Sequence, residues 1–154
     1  MPAIRDYTQA TFLEPTDAFV IDRIGVGTLY VEAGLFGPSC LTYFLNGAGS
    51  PISTGTYVGH WVPFNCTITG VTLLSDVTTN CVVDIWVAPY ASYPPTIANT
   101  ITAAAIPTIT AAKKYQNTTL TGWTTAIPAN STIWYDVVSV SAATQLTIAL
   151  SVLK

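Results

Sequence analysis

Beyond residue 35 the chain never sustains a helical period for three turns. Val, Ile, Thr, Tyr and Trp dominate it, and Pro falls at the ends of apolar segments rather than inside them. Residues 81–96, CVVDIWVAPYASYPPT, show the pattern: a strand-like run that stops in a Tyr/Pro loop. A chain of this kind is confined to all-β folds. The segment TAAAIPTITAA is alanine-rich, but Pro107 and its repeated Thr favour strand or loop over helix.

Composition then narrows the class. Half of the 154 residues are hydrophobic and only 8% are charged, against about 25% in an ordinary soluble domain. Such a chain enters a membrane or has much of its surface covered by other protein. No stretch approaches the run of about 20 apolar residues that a spanning helix needs, because Thr, Asn, Gly and Pro interrupt the richest segments. Membrane insertion is therefore not expected, and the opening MPAIRDYTQ does not read as a signal peptide. A net charge of −3, with Lys113-Lys114 as the one basic pair, argues against a nucleic-acid partner.

Charge also divides the chain. Seven of its thirteen charged residues lie in the first 34 positions. Within this head, Phe19 and Ile21, then Leu29 and Val31, alternate at period two around a turn at Asp22-Arg23-Ile24-Gly25. Two short strands need a partner to be stable, so residues 1–34 are expected to dock onto something larger. Residues 35–55, ending in the Gly/Ser/Pro-rich LNGAGSPISTG, read as a linker or long loop, and residues 56–154 as the body.

Inside the body, Thr67-Ile68-Thr69-Gly70-Val71-Thr72 is echoed 52 positions later by Thr119-Leu120-Thr121-Gly122-Trp123-Thr124, and Asp84 by Asp136 at the same displacement. Two related β-units would pack as a two-sheet antiparallel β-sandwich of jelly-roll type, with the head as a short N-terminal β extension. Strands at 67–75 and 80–88 are expected to form a hairpin turning at DVTTN. That geometry sets position 81 opposite 75 and disfavours a Cys66–Cys81 bridge. Cys40, Cys66 and Cys81 are expected to be free, inaccessible thiols. The Asn-x-Ser/Thr triplets at Asn65, Asn117 and Asn130 read as by-products of a Thr-rich sequence.

Candidate chemistry is sparse. His60 is the sole histidine, so a His/Cys metal cluster of ordinary spacing cannot form, and no nucleophile-elbow motif accompanies the serines. Asp84 and Asp136 are the only carboxylate pair with symmetry behind it. On a sandwich they would occupy outer faces of different strands, away from a shared cleft. Val83, Ile85 and Val87 form the aliphatic face of their strand, which leaves Asp84 and Trp86 on the other, solvated or, better, covered by a neighbouring subunit. Neither a catalytic role nor a cofactor is expected. Tyr90 and Tyr93, on a Pro-stiffened loop, and the four tryptophans are side chains able to stack on sugars or to fill protein contacts, with Trp123 and Trp134 assigned to core or interface.

Several of these pieces keep the order and spacing of a known module. Ile52-Ser53-Thr54-Gly55, Gly59, Val62-Pro63-Phe64, residues 67–74, Val82-Val83-Asp84-Ile85-Trp86, Tyr93-Pro94-Pro95-Thr96 and residues 120–124 together resemble a β-sandwich module of tailed-bacteriophage structural and tail-fibre proteins, over about residues 52–154. Asp17-Ala18-Phe19-Val20-Ile21-Asp22-Arg23 resembles the segments by which phage fibres attach to the particle. The resemblance implies a virion protein made in the host cytoplasm: a fibre or appendage subunit or, as no long shaft is present, a capsid-decoration protein. It would assemble with itself, as a homotrimer, and with other virion proteins, anchored through Phe19, Ile21, Asp22 and Arg23. The alternative is a receptor-binding, lectin-like module recognising host surface glycan through a loop tip. Asp84, Trp86, Tyr90, Tyr93 and Asp136 are the candidate ligand or interface residues.

Overall fold

The computed structural model describes residues 18–23, 27–32 and 37–154. The chain divides into two units, residues 1–37 and 38–154. In the first, β1 (Ala18–Arg23) pairs antiparallel with β2 (Gly27–Glu32), which sets Phe19 opposite Val31 and Ile21 opposite Leu29. The period-two pattern of the head is thus a hairpin. Asp22 and Arg23 lie at the end of β1, opposite Thr28 and Gly27. Ile24 and Gly25, expected in the turn, lie outside the described residues.

The second unit is one antiparallel sheet of seven strands: β3 (Pro38–Asn46), β4 (Gly55–Val62), β5 (Cys66–Pro89), β6 (Thr108–Asn117), β7 (Ala126–Ile127), β8 (Ser131–Val140) and β9 (Gln145–Leu153). The order is β3-β9-β5-β8-β4, with β6 and β7 also paired to β5. The 24-residue β5 organises everything. Its first half pairs with β9 through Thr67–Ser75, and its second half pairs with β8 through Cys81–Pro89. A straight strand of this length would run about 80 Å. Instead its register with β6 slips between Leu74 and Cys81, and the sheet curls there. The β3-β9 flank and the β8-β4 flank then face each other across the core, where Tyr43 of β3 stacks on Tyr135 of β8 at a ring separation of 5.0 Å. Leu73, Cys81, Val83, Ile85, Ile133, Tyr135, Val137, Leu146, Ile148 and Leu150 are fully buried between them.

The all-β antiparallel class is as expected, whereas the arrangement differs in four respects. No hairpin forms at Asp76–Asn80, because its polar residues clamp neighbouring loops instead of making a turn. Asp76 accepts hydrogen bonds from the Thr144 hydroxyl (2.6 Å) and from the Thr144 and Gln145 amides (both 3.1 Å). The Thr79 hydroxyl lies 3.2 Å from that of Ser141, and Asn80 accepts from the Ala111 amide at 2.9 Å. The DVTTN stretch carries neither Gly nor Pro, so with its polar groups engaged elsewhere the backbone bends but continues as strand instead of reversing. Second, the segment read as linker contains β3, whose alternating Leu41, Tyr43 and Leu45 point inward; the loop itself is limited to residues 47–54. Third, the echo is not a structural repeat. Residues 67–72 are strand, while 119–124 form an irregular turn with Leu120 at φ 49° and Gly122 at φ 81°. The two flanks accordingly belong to one hydrogen-bonded sheet. Fourth, all three thiols are free, and Cys66 and Cys81 are buried, but Cys40 sits on the outward side of β3 and is exposed. Burial pushes the Cys81 thiol up to about 11 and that of Cys66 in the same direction.

A bulge in β4 between Val58 and His60 shapes the inner face. A Cβ on Gly59 would stand 2.5 Å from the Ile133 carbonyl oxygen and 2.7 Å from the Tyr135 ring, so only glycine lets that ring lie against the strand. The bulge turns His60 inward. Its ring meets Tyr43 and Tyr135 edge-on, at 5.8 and 6.1 Å, and burial holds its pKa below the ordinary imidazole range.

Candidate functional site

The candidate residues gather on the outer face of the β4-β8-β5 flank. Antiparallel pairing aligns three rows across it: Thr56, Asp136 and Asp84; Val58, Trp134 and Trp86; Trp61, Thr132 and Ala88. Asp84 and Asp136 are therefore direct cross-strand neighbours, with Cβ atoms roughly 4.5–5.5 Å apart. The expectation that they stand apart is corrected. Their 52-residue displacement falls on strands that pair with each other, which places both carboxylates in one row.

Asp84 is sealed by its own chain. Its Oδ1 accepts from the Ile85 amide (2.8 Å), the Thr100 hydroxyl (2.7 Å) and the Thr102 hydroxyl (2.6 Å), and its Oδ2 accepts from the Trp86 indole N–H (2.8 Å). The covering segment is fixed at Thr100, which bridges Trp86, and at the Ile101 amide, which donates to the Ile85 carbonyl at 3.0 Å. Thr-x-Thr spacing aims both hydroxyls at the carboxylate while Ile101 is buried. Asp84 and Trp86 are consequently 5% and 8% exposed. The face expected to be covered by another subunit is, at these two residues, covered by residues 97–102. Thr100 and Thr102 escaped the sequence reading, although their i, i+2 hydroxyls beside a strand carrying a lone buried acid were the available signal.

Asp136 is different. It is half-buried, and among the described residues no side-chain or backbone donor reaches its carboxylate. Burial, then the neighbouring negative charge of Asp84, raises its pKa above the ordinary carboxylate range. Beside it the Trp134 indole nitrogen is buried and, among the described residues, has no hydrogen-bond partner. The Tyr93 ring stands edge-on to Trp134, with centroids 5.6 Å apart. At the other end of the face Trp61 donates from its indole N–H to the Asn130 side chain at 2.9 Å, and the Asn130 carbonyl accepts from the Tyr90 amide at 2.8 Å. Val58, Trp61, Tyr90, Tyr93 and Ile97 are all more than half exposed. The result is an aromatic ledge along β4 and β8, walled by the 89–97 loop. Val58 belongs to it although the sequence reading gave it no role, and Trp61, read only as one of four tryptophans able to stack or fill a contact, joins it because the bulge between Val58 and His60 brings these two residues, three apart, to the same face of β4. Trp123, by contrast, lies in the core, its indole N–H bonded to the Ala105 carbonyl at 3.0 Å.

Chemically, both oxygens of Asp84 are engaged, so the site offers one accessible carboxylate and several exposed rings. Two surface hollows, of about 260 and 410 Å³, lie elsewhere, beside residues 45–57 and around Cys66, Ile127 and Leu153. Among the described residues, no three His, Cys, Asp or Glu side chains converge as a metal site, and no helix is long and apolar enough to cross a membrane.

No protein-family model matches the chain, and no curated protein matches it significantly. Among solved structures it is similar to a chain of the capsid of Ralstonia phage GP4, with 11% identity over 77% of this chain and 84% of that one, at a TM-score of 0.46. It is also similar to a chain of infectious bursal disease virus, Gx strain, with 12% identity over 91% of this chain and 40% of that one, at a TM-score of 0.28.

Proposed function

We propose that this chain is a structural subunit of a tailed-bacteriophage particle, either a tail-fibre or appendage subunit or a capsid-decoration protein, with a mechanical or adhesive rather than catalytic role. It works as a homotrimer joined to other virion proteins, and its N-terminal residues 1–34, through Phe19, Ile21, Asp22 and Arg23, attach it to the particle. The observation that carries this reading is the body's surface. Residues 35–154 carry six charged side chains, Asp76, Asp84, Lys113, Lys114, Asp136 and Lys154, and Asp84 is buried, while Phe44, Leu74, Val138 and Leu153 are each about half exposed. Apolar surface this poorly guarded by charge is suited to burial against protein. The engagement of Asp84 by four internal donors supports a carboxylate that builds rather than reacts. The test is to delete residues 1–34 and assay particles by mass spectrometry. The body is expected to stay folded and trimeric but to be missing from virions; normal incorporation, or a soluble monomer at micromolar concentration by light scattering, overturns the proposal.

A second reading, a lectin-like module that recognises host surface glycan through a loop tip, is favoured by one observation: the exposed rings of Trp61, Tyr90 and Tyr93 gather where the 89–97 loop meets β4.

A further inference from the structure

β3 and β4 end the strand order on opposite sides, and among the described residues no ladder joins them. What links these two edges is a cluster of three rings. Tyr43 of β3 stacks on Tyr135 of β8, and the imidazole of His60, on β4, meets both edge-on at 5.8 and 6.1 Å. The β4 bulge turns His60 inward, and the missing Cβ of Gly59 leaves the Tyr135 ring its place. His60 Nε2 and the Tyr135 hydroxyl are buried there and, among the described residues, have no hydrogen-bond partner. Such an enclosure accepts a neutral imidazole and penalises a charged one. Protonation puts an N–H donor at Nε2, where no acceptor stands within reach among the described residues, and adds a charge with no counterion. The charged side chains of residues 38–154 all lie elsewhere: Asp76 binds Thr144 and Gln145, Asp84 and Asp136 belong to the outer face, Lys113 and Lys114 to β6, and Lys154 stands 4.4 Å from the Phe64 ring centre. The titratable groups that do stand near are Tyr43 and Cys40 of β3, Tyr57 of β4 and Tyr135 of β8. None of them carries a charge below about pH 8. Edge-on rings at this separation sit at the limit of about 6 Å for a cation–π contact, so they compensate little. Burial accordingly lowers the His60 pKa, and the Thr42 backbone on β3 offsets this only in part.

We propose that His60 is an acid-sensitive latch between the β3 and β4 edges: neutral, it holds the three rings together, and protonation loosens the two edge strands while β5, β8 and β9 stay paired. A histidine disfavoured in its charged form contributes stability that is complete above the ordinary imidazole value of 6.5 and is lost as pH falls toward the folded value. Acid therefore acts on the seam before the rest of the sheet. The edges are where such a loss shows first, because β3 is paired only to β9 and β4 only to β8, whereas each inner strand has a neighbour on both sides. The latch is independent of the aromatic ledge and of attachment to the virion.

The experiment uses the full chain. His60 is its sole histidine, so one imidazole C2–H signal reports protonation directly by NMR, and native-state amide exchange at about pH 7.5 and about pH 5 locates the loosening. The signal is expected to titrate below 6.5. Protection factors in residues 38–46 and 55–62 are expected to fall at least about tenfold on acidification, and those in residues 71–74 of β5 by less than about twofold. His60→Phe keeps a ring of similar size that takes no proton, and His60→Gln keeps a polar side chain without the charge. Both are expected to abolish the acid response of β3 and β4, and since Asp136 titrates in wild type and variants alike, its contribution cancels. Three outcomes overturn the proposal. The first is a wild-type His60 signal that titrates at or above 6.5, a reading that needs no variant to fold. The second is protection lost equally in every strand, which makes His60 a general burden on stability and not a latch. The third is an unchanged acid response in His60→Phe or His60→Gln, which assigns that response to a carboxylate.

Discussion

Replacing Asp84 by alanine removes the acceptor for four donors at once, and the size of the effect can be worked from the burial of each. The Thr100 side chain is exposed, so its hydroxyl can turn to water and loses little. Thr102 is fully buried and Trp86 is 8% exposed, and neither has another acceptor within reach of the group that faced Asp84, apart from the Thr100 hydroxyl 3.2 Å from that of Thr102. Each buried donor left unpaired costs about 1–3 kcal/mol. Relief of the repulsion between Asp84 and Asp136 offsets part of this, so the net loss is about 2–4 kcal/mol. For a body of this size that lowers Tm by roughly 8–16 °C. Asp84→Asn retains an oxygen at the Oδ1 position with its three donors and sets an amide N–H against the Trp86 N–H, so one contact is spoiled and less than half the loss is expected. Because every partner belongs to the same chain, the difference in Tm between variant and wild type should be the same at low and high protein concentration. Differential scanning calorimetry at two concentrations measures all three quantities. An unchanged Tm in Asp84→Ala, an Asn variant as damaged as the Ala variant, or a difference that grows on dilution would refute the intrachain anchor and restore the subunit-contact reading.

Asp136 should behave in the opposite sense. Its folded pKa is raised, so the fold favours the protonated form; the favourable contribution is complete below the unfolded carboxylate pKa and is lost as pH rises through the folded value. Asp136→Asn is therefore expected to raise Tm modestly at pH 7 and to make no difference near pH 3, as read by thermal melts across that range. Asp76, held down to about 2 chiefly by the Thr144 hydroxyl and the Gln145 amide, contributes stability above the unfolded pKa that is lost as pH falls through about 2. Asp76→Ala should accelerate amide exchange at Thr144 and Gln145, while protection at Ile133 and Tyr135 follows only global stability. Cys40 should react with a thiol reagent in the native protein, and Cys66 and Cys81 only after denaturation, as mass spectrometry of the labelled chain will count. Gly59→Ala should lower Tm sharply or prevent folding, because the Tyr135 ring and the Ile133 carbonyl occupy the space a Cβ requires.

What the sequence made legible was whatever depends on neighbours along the chain. Period-two alternation found the β1–β2 hairpin and the inward side of β5 at Val83 and Ile85, and the lack of helical period set the class. What failed depended on which strand lies beside which. Asp-Val-Thr-Thr-Asn has the composition of a turn, yet Asp76, Thr79 and Asn80 spend their polar groups on the 141–145 turn and on Ala111, contacts more than 30 residues away. The TITGVT echo failed for a related reason. The same Thr-Gly letters serve as strand in β5, where Val71 is buried, and as a turn at Gly122, where φ is positive, because packing rather than local preference decides between them.

The two aspartates show how far a pattern can be right about position and wrong about environment. Alternation along β5 put Asp84 on the side away from Val83 and Ile85, and it is there. Alternation says nothing about what covers that side, and the answer lies in Thr100 and Thr102, past the Tyr/Pro loop. Once those two hydroxyls occupy Asp84, the pairing of β5 with β8 leaves Asp136, among the described residues, a carboxylate with no hydrogen-bond donor. Symmetry in the sequence therefore corresponds to asymmetry in the fold. One acid stabilises the sheet, and the other remains available at the surface because its twin has taken the nearby donors. That division of partners rests on Thr100 and Thr102 facing Asp84, and it would be reversed if either hydroxyl were found to bond Asp136 instead.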